Sequence, residues 1–222
     1  MLIVIRHGAV SERYRGTWLG RTDVPLDPQA EGPLISLVPF LSRLSPLSIF
    51  TSPLKRAVSS ADVLASSLGV TPEVAPELSE MDLGAWRGHR PDEIRRMDPA
   101  RWRAYLDDTV GVAPPGGEPY RAMAERVYAF VDKRLAEAAS ESTEEAVRSL
   151  AAGPPPSRPT VLLITHTGPL LALACRALDL PLDRRIHLAP PHASATGLLL
   201  RTPELLFFGQ VGSIPTQRTA SP

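Results

Sequence analysis

Short apolar runs followed directly by polar residues mark the predicted strands of this chain. The three strongest runs cover residues 2–5, 47–51 and 160–165. Runs of this length that are rich in β-branched residues are typical of strands buried on both faces of a sheet. A shorter strand is predicted over 73–78, and two more within 193–209, on either side of a Thr-Pro-Glu turn.

Between these strands, apolar residues recur at helical spacing. The clearest helix has Ser52 as its N-cap and Pro53 in the first helical position, and it ends at Gly69. A second helix has Thr167 as its N-cap and Pro169 just inside. Further helical segments are predicted over 32–44 (interrupted at Pro39), 91–97, 99–107 and 119–138. Strands that alternate with helices predict an α/β fold of three layers, α/β/α, around a mainly parallel central sheet.

The connecting segments favour a single domain. It is predicted to cover residues 1–212, with a frayed tail over 213–222. Residues 140–159 are polar and then Pro-rich, which predicts an exposed connector. The loop over 9–31 is long, and loops of that length inside compact domains are usually functional or disordered.

Composition narrows the class of protein. The 24 Lys and Arg residues balance the 24 Asp and Glu residues, which argues against a broad surface for nucleic acid or membrane. Because Cys175 is the single cysteine, an internal disulfide and a thiolate metal cluster are excluded. No apolar run approaches the roughly 18 residues that a membrane span needs, and no signal-peptide pattern is present. We therefore expect a cytoplasmic protein, monomeric or homodimeric, with neither nucleic acid nor membrane as a partner.

Histidine and arginine side chains collect where predicted strands end. Arg6 and His7 follow the first strand, and His166 follows the strand over 160–165. Arg56 stands in the first turn of a helix, where the helix dipole already presents positive charge. Because open α/β sheets bind ligands at the carboxyl ends of their strands, these side chains are expected to meet.

These groups suit phosphate chemistry. Guanidinium groups pair with phosphate oxygens and keep their charge. An unprotonated imidazole is a nucleophile, and neighbouring Arg charges favour that form. The alternative interpretation is a surface turn that happens to hold Arg6 and His7, together with a solvated Arg56.

Four segments, in order and at suitable spacings, resemble the histidine phosphatase superfamily, which has the phosphoglycerate-mutase-like fold. The resemblance extends over about residues 2–200. A lone Arg-His-Gly is a weak signal, whereas the four segments together are specific. They are Arg6-His7-Gly8, residues 51–57, residues 78–88 and Thr165-His166-Thr167-Gly168.

The resemblance implies a role for each of these side chains. His7 would be phosphorylated and then hydrolysed. Glu80 would protonate the leaving oxygen and later take a proton from the attacking water, with Asp82 as the next candidate for that acid. No metal or cofactor is implied. The phosphoryl group would be bound by Arg6, Arg56, His166 and Thr167. The helix that starts at Thr167 would also direct free backbone N–H groups at the ligand.

Some positions depart from the family's pattern. Ala9-Val10 stand where the family usually has an acidic residue or Gln followed by Thr. Arg13 stands where an Asn often holds the phosphate, and it either replaces that contact as a cation or points to solvent. Three more side chains either line the pocket or serve other purposes such as loop packing: Tyr14, Trp18 and His192.

The resemblance favours a metal-independent phosphomonoesterase that acts on a small phosphorylated metabolite. Pro115-Gly116-Gly117-Glu118 is similar to the Gly-Gly-Glu element of α-ribazole phosphatases and broad-specificity relatives. A cofactor-dependent phosphoglycerate mutase is one alternative, although Met81-Asp82-Leu83-Gly84 stands where mutases usually have Arg-His-Tyr-Gly. The other alternative is a protein that binds phosphoryl groups without turnover. The alcohol half of the substrate stays open.

Overall fold

The computed structural model describes residues 1–44, 47–149, 160–187, 190–199 and 204–210. Its strands are β1 (Leu2–Arg6), β2 (Leu47–Thr51), β3 (Glu73–Val74), β4 (Thr160–Thr165), β5 (Ala195–Leu199) and β6 (Glu204–Gln210). They form one six-stranded sheet in the order β3-β2-β4-β1-β5-β6. The pairs within β3-β2-β4-β1 are parallel, while β5 runs antiparallel to β1 and β6 antiparallel to β5. The predicted α/β class with a mainly parallel sheet is confirmed.

Helices cover both faces of the sheet. Alternate residues of the central strands point to opposite faces, so Val4 and Leu163 belong to one apolar cluster, and Ile5 and Ile164 to the other. The helices are α1 (Glu31–Ile35), α2 (Val38–Leu41), α3 (Lys55–Leu68), α4 (Pro91–Met97), α5 (Pro99–Asp107), α6 (Tyr120–Ser149) and α7 (Thr167–Ala177). The first cluster is shared with α6 and α7, and the second with α1, α2 and α3. This is the predicted three-layer arrangement.

Two predicted helix starts are wrong, one by two residues and the other by one. α3 begins at Lys55, and its N-cap is Leu54, whose side chain makes no capping bond. Ser52 continues the extended backbone of β2, since its N–H donates to the carbonyl oxygen of Ile164. At the other site, His166 holds the N-cap position and Thr167 is already helical. In both places the chain stays extended to the edge of the sheet, so the helix starts where the sheet contacts end.

Two other segments differ from their predictions. Residues 73–78 split into β3 and a 3₁₀ turn over Pro76–Leu78, because a proline cannot donate to the sheet. α6 runs on to Ser149 through residues with good helix propensity, so the first half of the predicted connector is helix. The rest of that connector and the tail over 213–222 lie outside the described residues, and the single domain over 1–212 stays a prediction. Within the described part of the chain, no helix is long and apolar enough to cross a membrane.

Candidate active site

Two strand ends and two helix starts meet at one pocket. Because β1 and β4 are parallel neighbours, with Arg6 opposite Thr165, their carboxyl ends lie at the same edge of the sheet. The pocket at this edge encloses a volume of about 640 Å³. Its wall contains the following residues from the prediction: Arg6, His7, Arg56, Glu80 and Thr167.

The two ring nitrogens of His7 have different partners. Nδ1 lies 2.7 Å from the carbonyl oxygen of Gly8, and Nε2 lies 3.2 Å from Nε of Arg56. A guanidinium N–H can only donate, so Nε2 is the acceptor and Nδ1–H donates to Gly8. This neutral tautomer places at Nε2 the lone pair that a nucleophile needs.

Burial and positive neighbours keep His7 neutral. Its side chain is 5% exposed. Burial, and then the charge of Arg56, lower the pKa of His7 well below its ordinary value of 6.5. The hydrogen bond to Gly8 opposes this shift, while Arg6 and His192 add to it. The imidazole is therefore in its nucleophilic form at neutral pH.

His166 lies against His7 and is fully buried. The two ring centres are 5.1 Å apart. Nε2 of His166 lies 2.7 Å from Oγ of Ser52, and its Nδ1 has no hydrogen-bond partner among the described residues. Burial, and then His7, lower the pKa of His166 well below 6.5. The pocket wall at this point is formed by Thr167 and Gly168, so Nδ1 is the atom that His166 has left for a ligand.

The long first loop holds the guanidinium of Arg56. This side chain is 2% exposed. Its Nη1 donates to the carbonyl oxygen of Thr22 at 2.7 Å, and its Nη2 to that of Gly20 at 2.8 Å. Gly20 has a φ of +49°, and a Cβ there would come within 2.9 Å of the Met81 carbonyl oxygen. The loop thus orients a buried cation whose Nε–H points to His7.

The turn before β5 encloses Arg6. Nη1 donates to the carbonyl oxygen of Pro190 at 2.7 Å, and Nη2 donates to Nε2 of His192 at 2.8 Å. The backbone N–H of Ala193 bonds to the carbonyl oxygens of Arg6 and His7. Burial, and then Arg6, lower the pKa of His192 to about 4, so its ring is neutral and can accept. His192, whose place the sequence left open, is in the pocket wall.

The carboxyl group of Glu80 is fixed by two backbone donors. Oε1 accepts from the N–H of Met81 at 2.9 Å, and Oε2 accepts from that of Gly168 at 3.1 Å. A Cβ at Gly168 would overlap the carboxylate, so only glycine permits this approach. Burial lowers the pKa of Arg6 and of Arg56, and the charge of Glu80 opposes both shifts. The acid and the two cations therefore act on one another within the pocket.

An ionic network around Glu118 fixes the backbone of Glu80. Arg21 and Arg126 each donate to the Glu80 carbonyl oxygen at 3.1 Å, and to Oε1 of Glu118 at 2.9 and 3.0 Å. The same Oε1 accepts from the N–H of Asp82 at 2.9 Å. The side chain of Glu118 is only 19% exposed. Glu118 of the Gly-Gly-Glu element thus fixes the backbone of Glu80, although the two residues are 38 positions apart in the sequence.

Three candidates from the sequence are not part of the pocket wall: His166, which is fully buried behind it, Arg13 and Asp82. Arg13 is exposed and turns to Tyr14, donating to its hydroxyl at 2.7 Å. Asp82 accepts from the N–H of Gly84 and faces Arg21. Trp18 has both of the roles that the sequence left open. It lines the pocket, and it packs in an aromatic cluster with Trp86, Trp102 and Tyr105. Tyr14 is in the wall as well.

Sequence reasoning missed several residues of the site. Ser52 was interpreted as a helix cap, but its hydroxyl contacts His166. Tyr105, Tyr120 and Arg185 line the pocket, and nothing in the local pattern distinguishes them from packing residues or a solvated charge. For Ser52 alone there was a signal, because it belongs to the segment over residues 51–57 that resembles the family.

This arrangement defines a class of site: an unprotonated imidazole, two guanidinium groups and a carboxyl group around one cavity, which suits attack on a phosphate ester. Residues 2–204 match the family model of the histidine phosphatase superfamily, branch 1, and the chain belongs to this superfamily.

Named relatives of this chain are phosphatases. It is 30% identical over 182 residues to the glucosyl-3-phosphoglycerate phosphatase of Mycolicibacterium vanbaalenii, which covers 82% of this chain and 76% of the relative. It is 25% identical over 186 residues to the adenosylcobalamin/α-ribazole phosphatase of Escherichia coli K12, covering 84% and 83%. A solved mycobacterial glucosyl-3-phosphoglycerate phosphatase superposes with a TM-score of 0.68 at 28% identity, covering 88% of each chain.

Proposed function

We propose that this protein is a metal-independent phosphomonoesterase that works through a phosphohistidine at His7. The tautomer of His7 carries this proposal, since its lone pair on Nε2 points into a pocket beside two guanidinium groups. The substrate is a small phosphorylated metabolite. A cavity of about 640 Å³ is in the range of small-molecule sites and has room for more than the phosphate.

In the first step, the lone pair of His7 Nε2 attacks phosphorus, and the bond from phosphorus to the alcohol oxygen breaks. Glu80 gives that oxygen its proton, so a neutral alcohol leaves. In the second step, water attacks the phosphohistidine, Glu80 takes a proton from the water, and the nitrogen–phosphorus bond breaks. Inorganic phosphate departs, and His7 and Glu80 return to their starting forms.

Arg6 and Arg56 stabilise the charge on the transferred group. The Nε–H that Arg56 donates to His7 becomes available to a phosphoryl oxygen once Nε2 forms its bond to phosphorus. The buried Nε of Arg6, which has no partner among the described residues, is a second donor. One charge pair at about 4 Å is worth roughly 4 kcal/mol at an effective dielectric of 20. Two fixed cations therefore stabilise the negative charge of the transferred group without a bound metal ion.

We expect activity to survive metal removal. The purified protein, dialysed against EDTA, should release inorganic phosphate from some member of a panel that contains α-ribazole phosphate, 3-phosphoglycerate, sugar phosphates and nucleotides. Free phosphate, measured together with the alcohol, separates hydrolysis from isomerisation by a mutase. Full loss of activity with EDTA and recovery with Mg²⁺ or Zn²⁺ would overturn the mechanism.

Replacing Glu118 by glutamine should lower kcat for an alkyl phosphate about tenfold, because Arg21 and Arg126 lose the charge that holds them against the Glu80 backbone. A phosphate with a good leaving group, such as p-nitrophenyl phosphate, should be affected much less. Glu125→Gln, on the exposed side of α6, is the matched control. In the background of Glu80→Gln, the Glu118 substitution should cost nothing more. Additive losses would show that Glu118 acts on folding and not through Glu80.

A further inference from the structure

The pocket extends past Glu80 to a second buried cation, Arg185. Its side chain is 6% exposed and forms part of the pocket wall with Tyr105 and Tyr120. Glu80 lies in the same wall and interacts electrostatically with Arg6 and with both tyrosines. It is therefore close both to the phosphate end and to the end that holds Arg185.

Arg185 is held rigidly by neutral groups. Nη1 donates to Oγ1 of Thr109 and to the carbonyl oxygen of Leu182, at 3.2 and 2.9 Å, and Nη2 donates to the Thr109 carbonyl oxygen at 2.8 Å. The guanidinium carbon lies 3.7 Å from the centre of the Tyr120 ring. Among the described residues, no carboxylate forms an ion pair with Arg185. Backbone hydrogen bonds lower the pKa of Asp108 and the charge of Arg185 contributes to that shift, but this carboxylate does not pair with Arg185 directly. A buried charge without a paired counter-ion is costly, so an anion that binds nearby is favoured.

The position of Arg185 relates it to the leaving alcohol. The Tyr120 hydroxyl donates to the carbonyl oxygen of Gly168 at 2.7 Å, and the backbone N–H of Gly168 donates to Oε2 of Glu80. Since Glu80 protonates the leaving oxygen, the alcohol half lies on this side of the phosphoryl group. Arg185, stacked on Tyr120, thus borders the space that the alcohol half occupies.

The charged side chains of the pocket wall indicate which kind of partner Arg185 lacks. Arg15 and Glu12 pair with each other at 2.9 Å and cancel. Arg6, Arg56 and Arg185 supply three positive charges, and His7 is neutral. A phosphate monoester brings about −1.5 to −2 at pH 7, which the two guanidinium groups at the phosphate end, Arg6 and Arg56, balance. Arg185 borders the alcohol side, so its charge meets a substrate anion only if the alcohol half carries one.

We infer that the enzyme prefers phosphate monoesters whose alcohol half carries a second anionic group of single charge, such as a carboxylate, and that Arg185 is the residue that selects it. This inference rests on the proposed phosphomonoesterase activity. Arg185 acts mainly through its charge, because three of its N–H bonds are already made within the protein. The rings of Tyr105 and Tyr120 form an apolar wall against which the rest of the alcohol half packs.

A pair of substrates of equal size tests the inference. We would compare kcat/KM for 4-carboxyphenyl phosphate and 4-carbamoylphenyl phosphate, which match in size and differ in the charge of the distal group. The carbamoyl group withdraws more electron density and gives the better leaving phenolate, so a preference for the acid does not come from the leaving group. The wild-type protein should favour the acid about 10-fold to 100-fold, and the ratio should shrink in high salt. A ratio of one or below would overturn the inference while leaving the phosphatase activity established. If neither ester is hydrolysed and the metabolite panel is also inert, the proposed function fails instead.

Arg185→Gln and Arg185→Lys assign the preference to this side chain. With glutamine, the acid-to-amide ratio should fall to about one or below; with lysine, part of the ratio should return. A wild-type ratio in the glutamine variant would overturn the assignment. If the glutamine variant does not fold, Arg185→Lys and the salt dependence of the wild-type ratio decide, since a preference that does not respond to either is not electrostatic.

Discussion

Replacing His7 by alanine is expected to abolish turnover, by about 10⁴-fold or more, and to remove the phosphoenzyme. The reason is that Nε2 of His7 is the unprotonated ring nitrogen, whose lone pair accepts from the Nε–H of Arg56 until it attacks phosphorus. Quenching without acid during turnover of the wild-type protein should trap a phosphoramidate, which is labile in acid and stable in base. Peptide mapping should place the phosphate on His7.

Two controls make this result specific. His89→Ala removes a partly exposed imidazole that faces Glu93, away from the pocket, and should leave both turnover and label unchanged. His166→Ala should weaken turnover and leave the labelled site in place. A label on His166 or Ser52, or near-full activity of His7→Ala, would show that the nucleophile is assigned wrongly. Circular dichroism should show that His7→Ala is folded, since the side chain faces the pocket and not the core.

The acid side of the pH profile belongs to the same prediction. Because the pKa of His7 is held well below 6.5, the neutral nucleophile persists when the pH falls from 7.5 to 6. The rate should therefore decline only at pH values below the ordinary titration of histidine.

Glu80→Gln is expected to separate substrates by their leaving groups. An alkyl alcohol leaves only with a proton, so loss of the acid should cost about 10²–10⁴-fold. The p-nitrophenolate ion leaves without a proton, so hydrolysis of p-nitrophenyl phosphate should fall by much less. The ratio of kcat values for the two substrates measures the effect, and Glu77→Gln, an exposed neighbour, is the matched control. Equal losses for both substrates would remove Glu80 from the role of acid, and Asp82 is a poor substitute because it is outside the pocket wall.

The strands and the principal chemistry could be predicted because their signals are local. The apolar runs before His7 and His166 are strands buried on both faces, and such strands are written as continuous apolar residues. Their parallel pairing brings both histidines to one edge of the sheet. Helix starts were less predictable. Serine is a common N-cap residue, yet the hydroxyl of Ser52 forms a hydrogen bond with His166.

The contacts that tune the site join residues far apart in sequence, and no local pattern reports them. Nη2 of Arg6 reaches His192 across 186 positions, and Arg21 reaches Glu118 across 97. Arg185 stands in a charged run that is typical of solvated surface, and burial alone shows that it is not. Arg13, a candidate for phosphate binding, is drawn to the neighbouring Tyr14 instead.

The sequence by itself therefore determined the α/β class and the strands that carry the candidate site residues, and the family motif implied a nucleophile, cations and an acid among them. Hydrophobic periodicity and short motifs act over a few residues, so they can be recognised without the fold. Only the tertiary structure decided which nitrogen of His7 is unprotonated, how Glu80 is held, and that Arg185 is buried in the pocket wall. Those properties depend on hydrogen-bond partners and burial, which exist only once distant segments have packed together.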